Sequence, residues 1–124
     1  MIRFKAIALL CAVTLSGCTA YKFDAGPPRG TTVPDGDAIV IGRLENTAYL
    51  GGTDDPDDLI GHGFFDGLLH VTAVEAGRVS GDTLHLRYFG HTYLREEKWR
   101  FHLRPREDGV YVVCSPGDVG FICR

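Results

Sequence analysis

The sequence has no apolar run long enough to cross a bilayer as a helix, which requires about 20 residues. Its longest apolar run is residues 6–13, close to the amino terminus. Methionine and tryptophan occur once each, and acidic residues outnumber basic ones, which gives a formal net charge of −3. Nucleic-acid binding needs clustered Lys and Arg to neutralise phosphates, so we expect no nucleic-acid partner.

Motifs for common chemistries are also missing. The sequence contains neither a His-x-x-x-His nor a Cys-x-x-Cys ligand spacing. Its five histidines are His62, His70, His85, His91 and His102. Beyond the amino-terminal region, serine occurs as Ser80 and Ser115, both in predicted turns without the glycine-flanked elbow of a hydrolase. The acidic segment 54–58 lacks the alternating ligands of a calcium-binding loop. We therefore predict no catalytic residues, no metal site, no cofactor and no enzymatic activity.

The amino terminus has the order of a secretory signal: Arg3 and Lys5, then the apolar run, then Leu15-Ser16-Gly17-Cys18. This last segment resembles the lipobox of bacterial lipoproteins. The resemblance implies that residues 1–17 are a signal peptide and that Cys18 carries diacylglycerol and an amide-linked fatty acid such as palmitate. Removing Arg3 and Lys5 with the signal takes the net charge from −3 to −5. Thr19 after the cysteine favours an outer-membrane anchor, facing the periplasm.

Cysteine and proline usage divides the rest of the chain. Residues 18–36 are rich in Pro and Gly, which predicts a flexible tether that lifts a domain of residues 37–124 off the lipid. With Cys11 in the signal peptide and Cys18 lipidated, Cys114 and Cys123 are left. Two neighbouring cysteines in an oxidising compartment predict a disulfide.

The domain is predicted to be all-β, because short runs of apolar alternation are separated by turn residues. The predicted strands are residues 38–44, 68–74, 83–89, 98–104 and 110–114. In the fourth strand Trp99, Phe101 and Leu103 alternate with basic residues, so we expect the first set to face the core and the second to face solvent. A long structureless loop is expected between the first two strands, with most of the negative charge.

Several segments resemble the netrin-like, or TIMP-like, version of the OB-fold. They are Asp-Ala-Ile-Val-Ile-Gly-Arg-Leu at 37–44, Val-Glu-Ala-Gly at 74–77, Gly-Asp-Thr-Leu-His-Leu at 81–86, Glu-Lys-Trp-Arg-Phe-His-Leu at 97–103 and Asp-Gly-Val-Tyr at 108–111. The resemblance implies a small five-stranded barrel that binds proteins or is structural. Inhibitory members insert an amino-terminal cysteine into a protease metal site, a mechanism that a lipidated Cys18 far from the barrel does not share. A lipocalin-like barrel or another β-sandwich is the alternative.

Charge separation gives the functional hypothesis. A predicted basic row and the acidic loop form two separate patches of opposite charge. The residues of the basic row are Arg87, Lys98, Arg100, His102 and Arg104. One interpretation is a surface that docks an envelope protein, as an inhibitor, immunity or assembly module, or an anionic envelope polymer; the other is an ordinary solvated strand face. The alternative function is a periplasmic metal- or small-ligand-binding lipoprotein that uses His85 or His102.

Overall fold

The computed structural model describes residues 20–115 and Cys123, and over this range the chain is all-β. Its strands are β1 (Phe23–Asp24), β2 (Ala38–Gly52), β3 (Gly63–Ala76), β4 (Thr83–Gly90), β5 (Lys98–Pro105) and β6 (Tyr111–Cys114). In the same range no helix has the length and apolar character needed to cross a membrane. The predicted signal peptide 1–17 and the lipidation site Cys18 lie outside the described residues.

Strands β2 to β6 close into a barrel. Their order around it is β5, β2, β3, β4 and β6, and β6 pairs back onto β5. The β4–β6 pairing is parallel, whereas the other four pairings around the barrel are antiparallel. This mixed five-stranded closure confirms the prediction of a small OB-like barrel, and it leaves the barrel strands without the open edges that favour aggregation.

The interior of the barrel is filled by the residues that alternate along the strands. Trp99, Phe101 and Leu103 of β5 are buried in the core, as the alternation predicts. The alternating residues of β4 that are buried in the same core are Leu84, Leu86 and Tyr88. The Tyr88 hydroxyl donates a 2.6 Å hydrogen bond to Asn46 Oδ1, and burial raises the pKa of Tyr88 to about 12.

The β2–β3 hairpin is much longer than predicted, and the expectation of a structureless loop between the first two predicted strands is wrong for residues 45–52 and 63–67. Pairing continues from Ile39 opposite Ala76 to Gly52 opposite Gly63, so the connection is reduced to residues 53–62. Register shifts interrupt the pairing, including one at Gly42, where an added Cβ would lie 2.6 Å from the His70 carbonyl oxygen. Because bulges break the alternation of side chains, the polar distal half of β2 gives no strand pattern in the sequence.

The segment predicted as a flexible tether contacts the barrel over part of its length. Strand β1 pairs in parallel with β5, with Phe23 opposite Trp99. The two rings stack with centroids 4.7 Å apart. The backbone nitrogen of Ala25 also donates a 2.9 Å hydrogen bond to the Arg100 carbonyl. The barrel unit therefore includes residues from before position 37.

The carboxy-terminal features agree with the sequence. Gly109 has a φ of +82° in the β5–β6 turn, a conformation for which glycine is suited. Cys114 and Cys123 form a disulfide with Cα atoms 5.4 Å apart, which confirms the predicted bond.

Candidate functional site

The predicted basic row does not form a solvent-facing surface, because the structure buries its central residue. Arg100 is completely buried, and Lys98, His102 and Arg104 are only partly exposed. The outward direction of these side chains was predicted correctly, but the outer face of β5 at Arg100 is covered by residues 24–27. Strand alternation gives the face of a side chain and not what covers that face.

Arg100 is held by two carboxylates that are distant in sequence. Its Nη1 donates to Asp24 Oδ1 at 3.0 Å and to the Pro27 carbonyl at 2.6 Å, and its Nε donates to Glu75 Oε2 at 2.8 Å. Burial alone would lower the pKa of Arg100, but the bonds to Glu75 and Asp24 outweigh it and raise the pKa. Among the described residues Nη2 has no hydrogen-bond partner. The Arg100 guanidinium thus holds residues 24–27 against the barrel.

Two further basic residues of β5, His102 and Arg104, bind Asp37. We name these three residues the Asp37 cluster. Arg104 Nε and Nη2 donate to Asp37 at 2.9 and 3.0 Å, one to each carboxylate oxygen, and His102 Nε2 lies 2.7 Å from Oδ2. Burial would raise the pKa of Asp37, but the bonds from Arg104 and His102 outweigh it and lower the pKa. The carboxylate is therefore fully ionised at neutral pH.

Arg87, the member of the predicted row that lies on β4, belongs to a second arrangement of the same kind, the Asp66 cluster. Arg87 Nε and Nη2 donate to Asp66 Oδ1 and Oδ2 at 2.7 and 3.0 Å, and His85 Nε2 lies 2.9 Å from Oδ2. The hydrogen bonds from Arg87 and His85 overcome the effect of burial and lower the pKa of Asp66. Two of the five predicted binding residues, Arg87 and Arg104, thus form bidentate ion pairs on the outer face of the barrel.

Among the residues that the structure describes, one set of three potential metal ligands lies close together next to β5. Ligand atoms of Asp37, His102 and Cys114 lie within 4.8 Å of one another. The Cys114 sulfur is bonded to Cys123, and both Asp37 oxygens accept hydrogen bonds from Arg104. A cysteine ligates a metal as a thiolate, and a carboxylate does so through electron pairs that are not already engaged by an arginine. This group therefore does not fit a metal ion. His85 is on β4, which does not pair with β5, as the OB-like wiring implies.

The connection between β2 and β3, residues 53–62, is ordered by one carboxylate; we call it the hairpin tip. Asp58 Oδ2 accepts hydrogen bonds from the Thr53 hydroxyl at 2.7 Å and from the His62 backbone nitrogen at 2.8 Å. Its Oδ1 lies 2.7 Å from His62 Nδ1. Bonds from His62 and Thr53 hold the pKa of Asp58 far below its ordinary value. The tip therefore has a defined conformation.

The hairpin tip exposes two large aliphatic side chains. Leu59 is 92% exposed and Ile60 is 72% exposed. Tyr49 and Leu50, near the end of β2, are also exposed. This surface was not singled out from the sequence, although the available signal was Leu-Ile directly after four aspartates within five residues.

Comparison of the chain with protein-family models, with curated proteins and with solved structures gave no match. The fold defines the chain as a small all-β protein with an OB-like barrel. The resemblance to netrin-like domains and to lipoproteins stays a prediction.

Proposed function

We propose that this chain is a lipid-anchored, non-enzymatic lipoprotein of the bacterial outer membrane whose barrel binds a protein partner through the hairpin tip. The observation that carries the proposal is the exposure of Leu59 and Ile60 side by side on an ordered loop. Burying a side chain of this kind contributes about 1.5–3 kcal/mol. Because the loop is already held by Asp58, little ordering free energy opposes binding.

The charges around the apolar pair favour a protein over a bilayer as the partner. Asp54, Asp55 and Asp57 are exposed on the same loop. Membrane surfaces with anionic lipids repel such a segment, since their surface potential is negative. The complementary surface is an apolar pocket with Lys or Arg at its rim, which increases the rate of encounter and fixes the orientation.

The state of the predicted basic row supports the same choice. A docking surface needs side chains that exchange water for a partner, but Arg87 and Arg104 already bind carboxylates and Arg100 is buried. Freeing a buried, paired charge costs several kcal/mol. We therefore propose the hairpin tip, and not the basic row, as the binding surface.

The anchor proposed at Cys18 would hold the barrel near the lipid. Strand β1 begins at Phe23, and the Lys22 backbone nitrogen already donates a hydrogen bond to the Lys98 carbonyl. At about 3.3–3.6 Å per residue, the stretch from Cys18 to Lys22 can span at most roughly 18 Å. A protein partner in or next to the same membrane is then within reach of the tip.

Site-specific photo-crosslinking in intact cells tests the proposal. A benzophenone amino acid placed at Leu59 is expected to give a discrete adduct with one envelope protein. The matched control is Thr83, an exposed residue at the start of β4, the end that lies away from the tip. Ile60→Asp combined with the Leu59 probe should abolish the adduct, because a carboxylate cannot enter an apolar pocket.

Direct binding completes the test. The identified protein, once purified, should bind the full chain, and Ile60→Asp should weaken binding by about tenfold or more. Adducts that are the same from Leu59 and Thr83, or binding that Ile60→Asp leaves unchanged, would contradict the proposed surface. Cys18→Ser tests the anchor separately and should move the protein to the soluble fraction.

A further inference from the structure

Two histidines from different connections meet beside the hairpin tip. His62 precedes β3 and His91 follows β4, and the pairing of Gly63 with Gly90 brings them together. Their ring centroids are 3.9 Å apart with an angle of 37° between the planes. The His62 ring also stacks on Phe89, with centroids 4.8 Å apart. Nothing in the sequence spacing of these residues indicates such a pair.

The orientation and protonation of His62 follow from its contact with Asp58. The ionised carboxylate can only accept hydrogen bonds, so His62 Nδ1, 2.7 Å from Oδ1, carries the proton. In the neutral ring Nε2 then has a free electron pair that points away from Asp58. The bonds from Thr53 and the His62 backbone nitrogen keep the carboxylate in place.

We propose that His62 and His91 bind one late first-row transition-metal dication, Cu²⁺ or Zn²⁺. His62 Nε2 is one ligand, a ring nitrogen of His91 is the second, and water completes the coordination. Imidazole suits these ions, and by the Irving–Williams order the site should bind Cu²⁺ with higher affinity than Zn²⁺. The proposal is independent of the protein-binding function proposed above.

Three features of the site support this assignment. A carboxylate bonded to the distal nitrogen of a ligating histidine is the arrangement that orients imidazole in metal sites, and Asp58 supplies it. The exposed residues Asp54, Asp55 and Asp57 of the tip raise the local concentration of cations. The two rings are tilted by 37° to each other, and a turn of the His91 ring can adjust its nitrogen to the ion, because His91 is exposed.

Calorimetric titration of the purified, untagged full-length chain with Cu²⁺ and with Zn²⁺ tests the site. We expect one ion per chain, with Cu²⁺ bound more tightly. His91→Ala removes the second ligand and should abolish this binding or weaken it by more than about tenfold, since loss of an outer-shell partner already costs that much. Asp58→Asn should weaken it by about 10- to 100-fold. The matched control is His70→Ala, an exposed histidine on β3, which should bind as the unmodified chain does.

Electron paramagnetic resonance gives a readout that folding defects do not imitate. Bound Cu²⁺ should show coupling to two imidazole nitrogens, and to one in His91→Ala. The proposal is overturned if the chain binds neither ion, or if His91→Ala binds both as well as the unmodified chain. Equally tight binding of Ca²⁺ that survives His91→Ala would assign the ion to the carboxylates of the tip and would also overturn it.

Discussion

The Asp37 cluster and the Asp66 cluster are built from the same tripeptide, His-Leu-Arg, on two strands that do not pair with each other. Residues 102–104 supply it on β5 and residues 85–87 on β4. In each cluster leucine enters the core, while His and Arg turn outward to one aspartate contributed by another segment. The arginine of each cluster binds its carboxylate through Nε and Nη2.

The two clusters differ mainly in burial. The side chains of Asp37 and His102 are 3% and 16% exposed, whereas those of Asp66 and His85 are 10% and 45% exposed. The same local sequence therefore makes the same hydrogen bonds in two solvent environments. The arginines do not differ in this way, because the side chains of Arg104 and Arg87 are 28% and 25% exposed. Since the free energy of an ion pair depends on how far water is excluded, the Asp37 cluster should respond more strongly to matched changes of the aspartate and the histidine.

Neutralising the aspartates should have the largest effect. Asp37→Asn leaves Arg104 and His102 without an anion and should lower the free energy of unfolding by about 2–3 kcal/mol, less than for a fully buried pair. Asp66→Asn should cost about 1–2 kcal/mol, because water reaches His85. Urea unfolding of the disulfide-bonded chain measures both values. Equal losses in the two variants would contradict the role given to burial.

Acid should reproduce part of this loss in the unmodified protein. The pKa values of Asp37 and Asp66 are lowered in the folded state from an ordinary value of 3.8. A group with a depressed folded pKa stabilises the protein above its unfolded pKa, and that contribution is lost as pH falls through the folded value. Unfolding free energies measured from pH 6 to pH 2 should therefore fall less steeply in Asp37→Asn than in the unmodified chain. Parallel curves would show that Asp37 does not titrate below its unfolded value.

Replacing arginine by lysine should have a smaller effect. Arg104→Lys keeps the charge but loses the two-point contact with Asp37, at a cost of about 1 kcal/mol. Arg87→Lys should cost slightly less, because its partner Asp66 is more exposed than Asp37, whereas the two arginines are exposed to a similar degree. Chemical denaturation of the two variants at neutral pH checks the order, and a larger loss in Arg87→Lys would reverse the comparison.

The histidines give the smallest expected change. His85→Gln should alter the unfolding free energy by about 0.5 kcal/mol or less, since His85 is nearly half exposed. His102→Gln should cost about 1 kcal/mol. Thermal unfolding resolves the difference, because 1 kcal/mol corresponds to about 4–8 °C in a domain of this size. If both variants melted at the temperature of the unmodified chain, neither imidazole would contribute measurably to stability.

The barrel could be predicted from the sequence where alternation is regular. Trp99, Phe101 and Leu103 alternate without interruption, and the Asp108-Gly109 turn is encoded by the two residues that form it. The distal half of β2 could not be found, because its bulges disrupt the period of two residues. Strand β1 has two residues, which is too short to give a periodic signal.

The candidate site was harder to predict because its contacts join distant parts of the chain. Arg100 binds Asp24 across 76 residues and Glu75 across 25. No local pattern carries that information, and a charged residue at an outward position is normally solvated. The repeated His-Leu-Arg tripeptide was the one local signal that the basic residues belong to two separate clusters. The apolar surface of Leu59 and Ile60 was not predicted, because the four aspartates that precede them indicate a solvated acidic loop.

The central claim is that the hairpin tip, and not the basic row, binds the partner. The most direct measurement compares the partner's affinity for Leu59→Ser/Ile60→Ser with its affinity for Lys98→Glu, a charge reversal in the basic row that spares both aspartate clusters. We expect the tip variant to lose about tenfold or more and Lys98→Glu to stay within about twofold of the unmodified chain. A large loss in Lys98→Glu with full binding by the tip variant would contradict the account.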